Sequence, residues 1–454
     1  MHKRKLNMNQ ESNLIAAIDI GTTKIVTIVG RKTEQGKLEL LGIEQVPSTG
    51  VKRGVVLNIE ETVSAIQDAV MKVEEKLKIK LSDVYVGIAG QHIKSLRNKG
   101  YRFIEQHAEI TQLDVDQLYH DNYKIPIEAG EKIMHVIPQD YIVDSETGVK
   151  NPVGMSGRRL EGNFHIVLGR IASAKNIQKC IKRAGLNLKD LILEPLASSK
   201  SVLTEEEKEA GVVLVDIGGG TTDVAVYYDG IIRHTAVIPF GGNVVTGDIK
   251  DGCSVLYKQA ESLKVQFGSA LGEITREDMV VTIPGMAGWE PKEISFRSLA
   301  YIIQARMEEI IDYVNLQIET SGCYDKLGAG IVLTGGGGLL KNLAQLIKYR
   351  TGLDVRIGLP DQFLDGSIPE KAHMPMYATS IGLLLSAMEK PERSLIEPEL
   401  FGEVEPMTPK PPQQNPVQKK GRRKEKKEYK TGDLFGSLKK SIAGIFDERD
   451  TEME

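Results

Sequence analysis

Two stretches about 200 residues apart carry one hydrophobic–polar rhythm. "LIAAIDIGTTKIVTIVG" (14–30) and "GVVLVDIGGGTTDVAVYYDG" (211–230) each run an apolar segment into Asp-Ile-Gly. Small and hydroxylated residues follow, then a second apolar segment. β-Branched residues flanking a Gly/Thr turn predict strand, tight turn and strand in both places. A repeat present in two copies predicts a duplicated architecture rather than a solenoid.

Helical periodicity follows each copy. "EETVSAIQDAVMKVEEKLKI" is amphipathic, and "DVYVGIAG" after it reads as a buried strand. "SLAYIIQARMEEIIDYVNLQIE" is a second long helix, with Leu299, Ile303, Ile310 and Val314 as its apolar stripe, and it leads into "GAGIVLTGGGG". "GGLLKNLAQLIKYRTG" then reads as a turn entering a helix. Strands and helices in this order give an α/β class with two related halves. From Pro391 the pattern dissolves into "EPMTPKPPQQNPVQ", which has the composition of a linker. One periodic segment remains, "GDLFGSLKKSIAGIFDE" (432–448). On a helix at about 100° per residue, its Leu434, Phe435, Leu438, Ile442, Ile445 and Phe446 share an arc of about 120°.

Composition changes this picture in one place only. The chain has 454 residues, 41% hydrophobic and 26% charged, with net charge −4, which fits a globular protein without a nucleic-acid signature. Between 419 and 440, however, 10 basic residues face 3 acidic ones. A basic leash and a one-sided apolar helix, with Lys439 and Lys440 on its polar face, form the pattern of a helix lying in the lipid headgroup region. Three scattered cysteines and eight histidines show no metal spacing. The start, "MHKRKLNMNQESN", lacks the apolar run of a signal peptide, and no window is apolar enough to span a bilayer.

The glycine turns carry the chemistry. Glycine permits close backbone approach, and successive N–H groups in a turn form a nest for anions. "DIGTTK" offers Gly21, Thr22, Thr23 and Lys24; "DIGGGTTD" offers Gly218, Gly219, Gly220, Thr221, Thr222 and Asp223. Asp19 and Asp216, ending each strand, suit the water shell of Mg²⁺. Facing each other, two such hairpins would clamp a triphosphate. A third cluster, "LTGGGG", adds Gly335, Gly336 and Gly337. Neither a Walker loop nor a dinucleotide fingerprint is present.

Two phosphate hairpins and a late glycine turn, in this order, resemble the actin, Hsp70 and sugar-kinase superfamily. That resemblance implies ATP and Mg²⁺ in a cleft between two duplicated α/β domains. It also implies Glu194, in "LILEPLASS", near the γ-phosphate and its attacking water, and Glu261 and Lys264, in "AESLKVQFG", at the ribose and adenine. The 64 residues after Lys390 leave no room for a chaperone's peptide-binding domain. Within the superfamily, "GVKRGVVLNIEETVSAI", "VKNPVGMSGRRLEG", "PFGGNVVTGDI" and "LTGGGGLL" make the chain similar to the FtsA family of bacterial actin-like cell-division proteins.

That family implies a division of the chain. A flexible start (1–13) precedes subdomain 1A (14–85 and 163–208), an FtsA-type inserted subdomain 1C (86–162), and subdomain 2A (209–250 and 331–390). Subdomain 2B (251–330), a disordered linker (391–431) and the membrane-targeting helix (432–448) complete it. It further implies polymerisation into protofilaments, recognition of the C-terminal peptide of the tubulin-like FtsZ, and other division partners. Location would be the cytoplasmic side of the membrane, peripheral, at the septum. Arg306 and Glu309 on the long helix are the candidates for the FtsZ tail. Turnover would be at most slow, with ATP mainly structural and regulatory. The alternative is a pilus-type assembly ATPase or a slow phosphotransferase on the same fold.

Overall fold

The structure, a computed structural model, describes residues 14–105, 109–284, 290–366 and 369–389. The expected linker and the apolar helix at 432–448 lie outside the described residues.

β1 (Leu14–Ile20) pairs antiparallel with β2 (Lys24–Lys32), and β2 with β3 (Leu38–Pro47). A two-residue ladder, β4 (Val51–Lys52) with β5 (Val55–Val56), leads into α1 (Ile59–Leu77). Asn58 starts this helix because its side chain accepts the Glu61 N–H. Val63, Ile66, Val70 and Val73 recur at helical spacing and bury that face on the sheet. β6 (Asp83–Ile88) then returns parallel to β1.

A separate sheet follows, from β7 (Lys94–Phe103), α2 (Gln112–Asp121), β8 (Glu131–Val143), β9 (Glu146–Val149) and β10 (Arg159–Arg170), in the order β7-β10-β8-β9. It has its own core around Leu118, Phe164 and Ile166. α3 (Ile171–Arg183) and β11 (Asn187–Leu193) close the first large sheet, β11 lying parallel to β6.

α4 (Glu194–Val202) and α5 (Glu205–Ala210) lead to the second half. It contains β12 (Val212–Ile217), β13 (Thr222–Tyr228), β14 (Ile231–Ile238), α6 (Gly242–Cys253) and α7 (Tyr257–Phe267). The pair β15 (Val280–Ile283) and β16 (Lys292–Ser295), α8 (Phe296–Ser321), β17 (Ile331–Thr334), α9 (Leu343–Thr351) and β18 (Val355–Ile357) complete it. Its sheet runs β14-β13-β12-β17-β18, and the first runs β3-β2-β1-β6-β11, so the duplication is topological: three antiparallel strands, then two parallel. The insertions are not duplicated. The first half carries its extra sheet between its fourth and fifth strands, the second carries α6 to β16 between its third and fourth.

Three expected boundaries move. The inserted subdomain was expected at 86–162, but β6 holds residues through Ile88 in the first sheet, and β10 runs unbroken to Arg170. The cut at 250/251 falls inside α6, whose i→i−4 ladder continues to Cys253. The largest change concerns 331–390, expected wholly in the second half. β19 (Leu364–Asp365) adds parallel to the edge of β3, and α10 (Ala378–Glu389) buries Ile381, Leu383 and Leu384 on the first sheet with Ala17, Ile28 and Ile192. α10 also packs on α4 so tightly that a Cβ on Gly382 would lie 1.8 Å from the Ala197 carbonyl oxygen. Val202 and Ala378, from these same two helices, pack against the second sheet. The α4–α10 pair is therefore the joint between the halves.

Candidate functional site

Asp19 and Asp216 are each one residue short of the end of their strands, and both carboxylates are buried. Hydroxyls from the joint fix them. Ser380 Oγ donates to Asp19 Oδ2 at 2.8 Å; Ser198 Oγ and Thr379 Oγ1 donate to Asp216 Oδ2 at 2.7 and 3.1 Å. Lys24 Nζ donates to the Met376 carbonyl at 2.7 Å. Asp223 sits directly across the hairpin from Asp216, and its Oδ1 is buried with no hydrogen-bond partner.

The two hairpin turns meet face to face. A Cβ on Gly219 would lie 1.9 Å from Thr23 Oγ1, and one on Gly220 2.4 Å from Thr22 Oγ1. Glycine here lets one hairpin approach the other, beyond leaving room for a ligand. Gly335, at φ +82°, turns beneath them, where a Cβ would lie 2.3 Å from Asp216 Oδ1. Between these parts is a cleft open to solvent.

Charge is unbalanced in this cleft. Burial, with Asp19, Asp223 and Asp216 nearby, pushes the Glu194 carboxyl well above its ordinary value. Burial, then Asp216 and Asp19, does the same to Asp223. Burial also raises Asp19 and Asp216, Lys24 opposing it at Asp19 and the Ser198 and Thr379 hydroxyls at Asp216. Burial lowers Lys24 against the pull of Asp19 and Asp216. Four carboxyl groups with one ammonium suit an added cation. Among the described residues no three acidic, His or Cys side chains are close enough to hold a metal directly. A cation that keeps its own waters fits such a donor set better than a dehydrated one.

Every hairpin residue predicted from the sequence lines the cleft except Thr222, together with Glu194, Gly335 and Gly336. Thr222 is fully buried and donates to the Phe240 carbonyl at 2.9 Å. Gly337 packs on Ile217, where a Cβ would lie 2.4 Å from Cγ2. Glu261 and Lys264 are outside the lining. Lys264 Nζ bonds Glu261 at 2.8 Å, the Gly242 carbonyl at 2.9 Å and Thr246 Oγ1 at 2.8 Å, a cluster one turn beyond the second hairpin. Gly54, Met376 and Thr379 line the cleft and were not predicted. Gly54 belongs to a quoted motif whose Arg-Gly turn was a visible signal; "MPMYATS" carries none. Arg306 and Glu309 bond each other, and Arg306 also forks onto Asp248 of α6, with its Nη2 3.0 Å from Oδ1. Its donors are already engaged within the chain.

A duplicated α/β fold, closed around two Asp-Ile-Gly hairpins and carrying a separate sheet in its first half, is the actin-like class in its cell-division form. The family model described as "Cell division protein FtsA" matches residues 213–382, and "SHS2 domain inserted in FTSA" matches 90–168, the separate sheet. The FtsA cell-division protein of Pseudomonas aeruginosa is 39% identical over 84% of this chain and 91% of its own length. That of Neisseria meningitidis is 39% identical over 86% and 94%. The solved PilM–PilN type IV pilus biogenesis complex is alike in fold, with TM-score 0.60 and 14% identity over 83% of this chain and 99% of that one. The chain belongs to the FtsA family of cell-division proteins.

Proposed function

We propose that this cell-division protein binds ATP with Mg²⁺ in the cleft, polymerises, and links FtsZ to the cytoplasmic membrane at the septum through its C-terminal segment. The observation that carries this reading is the convergence of both Asp-Ile-Gly turns, from opposite halves, on one carboxylate-lined cleft. The backbone of Gly21–Thr23 and Gly218–Thr221 would hold the phosphates. Asp19 and Asp216 would hold the water shell of Mg²⁺, and Gly335 and Gly336 the nucleoside side. The metal would supply the positive charge that four carboxyl groups and a phosphate tail together lack. Glu194, at the first turn of α4, would orient a water. Phosphate cradling gives binding while hydrolysis needs more, and a nucleotide-gated filament can work with slow turnover, so ATP serves first as a structural and regulatory ligand.

The lipid contact is assigned to Leu434, Phe435, Leu438, Ile442, Ile445 and Phe446, assisted by Lys439 and Lys440. One such helix is a weak anchor, and polymerisation multiplies it. No helix among the described residues is long and apolar enough to cross a membrane. An FtsZ tail on α8 would have to share or displace the Arg306–Asp248–Glu309 cluster. The pilus-type alternative rests on a shared fold, and family identity favours cell division.

Liposome co-sedimentation with anionic vesicles, with and without Mg-ATP, tests both ends of the molecule. Full chain is expected in the pellet, most with ATP, while a chain ending before Asp433 stays in the supernatant and still binds nucleotide. Asp216→Ala is expected to lose nucleotide binding and assembly together. Assembly of that variant without nucleotide would refute the coupling.

A further inference from the structure

The "GVKRGVVL" motif lies outside both large sheets, and the nucleotide reading assigns it no task. Its turn reaches the cleft. Gly54 is part of the lining, and its N–H donates to Thr22 Oγ1 at 3.1 Å, which fastens the turn to the first hairpin. On its other side Gly54 is pressed against Gly90, where a Cβ would lie 2.8 Å from Cα. The turn is thus held from two directions. Arg53, just before it, adopts φ +50°, a left-handed conformation that costs a non-glycine residue.

From that strained backbone, beside the cleft-lining Gly54, an exposed guanidinium reaches the second half. Arg53 Cζ stands 5.8 Å from the centroid of the Phe240 ring in the second half. Phe240 precedes Gly241, which is packed so closely on the second hairpin that a Cβ would lie 2.6 Å from the Gly218 carbonyl oxygen. Arg53 therefore spans from the first phosphate hairpin to the approach of the second. Among the described residues no carboxylate is within ion-pair distance of Arg53. The cation that lines the cleft, Lys24, is committed to the Met376 carbonyl and to the field of Asp19 and Asp216. An exposed guanidinium resting on a half-buried ring is modestly held, whereas a forked contact to phosphate oxygens is among the stronger polar interactions.

Resting on the nucleotide reading above, we propose that Arg53 recognises the distal phosphate of a nucleoside triphosphate in this cleft, exchanging the Phe240 ring for it. The exchange has an outlet. Phe240 stacks on Tyr313 of α8 at 5.5 Å between ring centroids, and its carbonyl accepts the Thr222 hydroxyl. Release of the ring by a triphosphate, and its recapture with a diphosphate, would alter the contact between the second hairpin and α8.

The test is the ratio of ATP to ADP affinity, each with Mg²⁺, for the full chain and three variants. Arg53→Ala should lower ATP affinity about tenfold, the size of one charge-assisted contact, and leave ADP affinity unchanged. Arg53→Lys keeps the charge without the fork and should restore part of the ratio. Phe240→Leu removes the competing ring and should preserve or raise the ratio. Equal loss of ATP and ADP in Arg53→Ala, or no loss of either, overturns the proposal, as does a fall of the ratio in Phe240→Leu. A wild-type chain that binds neither nucleotide sinks the nucleotide reading and this one with it. Wild-type binding with an unchanged ratio in Arg53→Ala sinks this one alone.

Discussion

In the first half Asp19 faces Val26 across its hairpin, and Lys24 closes the turn; in the second half Asp216 faces Asp223, and the place of Lys24 is taken by Thr221. The strands, their order and the Asp-Ile-Gly turn are the same. The first hairpin is thus near neutral and the second carries two buried carboxyl groups. Duplication supplied two equivalent scaffolds, and the residues across from each Asp made them chemically unequal. On the proposed reading, both turns would hold phosphates and Asp19 and Asp216 the hydrated cation, with the second hairpin adding one carboxyl group more.

The comparison can be broken most severely at the contact between the turns. Gly219→Val puts a branched side chain where Thr23 Oγ1 stands 1.9 Å from even a Cβ, so the two turns are pushed apart. Nucleotide binding is expected to fall by at least about 100-fold, roughly 3 kcal/mol, in a fluorescent-nucleotide titration. Both halves should keep their helical and strand signal, because the clash is between the turns and not in either core. Unimpaired binding would mean the turns do not need to meet.

Making the halves alike in charge is a gentler change. Asp223→Asn keeps the shape of a side chain whose Oδ1 has no partner, and removes like-charge repulsion from Asp216 and Asp19. Without ligand the variant should be more stable, by about 1–2 kcal/mol, and should lose much of the stabilisation that Mg²⁺ with ATP gives the wild type. Denaturant melts with and without ligand read both effects. The sign with pH follows. Groups raised above ordinary values of 3.8 for Asp223 and 4.5 for Glu194 contribute stability that is full below those values and is lost as pH rises through the raised ones. Cation binding releases those protons, so Mg-nucleotide affinity should climb over the same rise, less steeply in Asp223→Asn.

The smallest effect is expected away from the cleft, where the inserted sheet touches the second half. His165 of β10 bonds Thr235 of β14 at 2.9 Å, and the Arg97 guanidinium of β7 donates to the Ser321 carbonyl at 2.6 Å. Burial, then His234 and Arg97, holds His165 down to about 4. A base with a depressed value contributes stability above its ordinary 6.5 that is lost as pH falls toward 4. For His165 the loss should be about 1 kcal/mol by pH 5.5. Hydrogen exchange at β7 and β14 should rise first as the solution is acidified. His165→Gln should flatten that dependence.

Both hairpins, α1, α8 and the buried stripe of α8 were legible along the chain because they rest on local spacing: period two, period 3.6, and a turn that only small residues fit. The insert was legible as a region and its bounds moved, by three residues at its start, where β6 runs to Ile88, and by eight at its end, where β10 runs to Arg170. Glu261 and Lys264, expected at the ribose and adenine, pair with each other and with Thr246 outside the cleft lining, and a helix face by itself does not disclose what lies opposite it. Gly54 and Thr379 escaped notice for the converse reason, joining the cleft only through contacts to Thr22 and Asp216, distant in sequence.

What the sequence determined by itself was the duplication, the α/β class, the two Asp-Ile-Gly turns and the apolar arc at 432–448, each a consequence of short-range pattern. Tertiary structure alone decided that residues 364–389 return to the first half, where the apolar side chains of α10 find the uncovered face of β1 and β2. It also decided which carboxyl groups share one cleft. That pairing depends on α4 and α10 bringing Ser198, Thr379 and Ser380 to aspartates about 20 to 360 positions away in the chain, a distance no periodicity can encode.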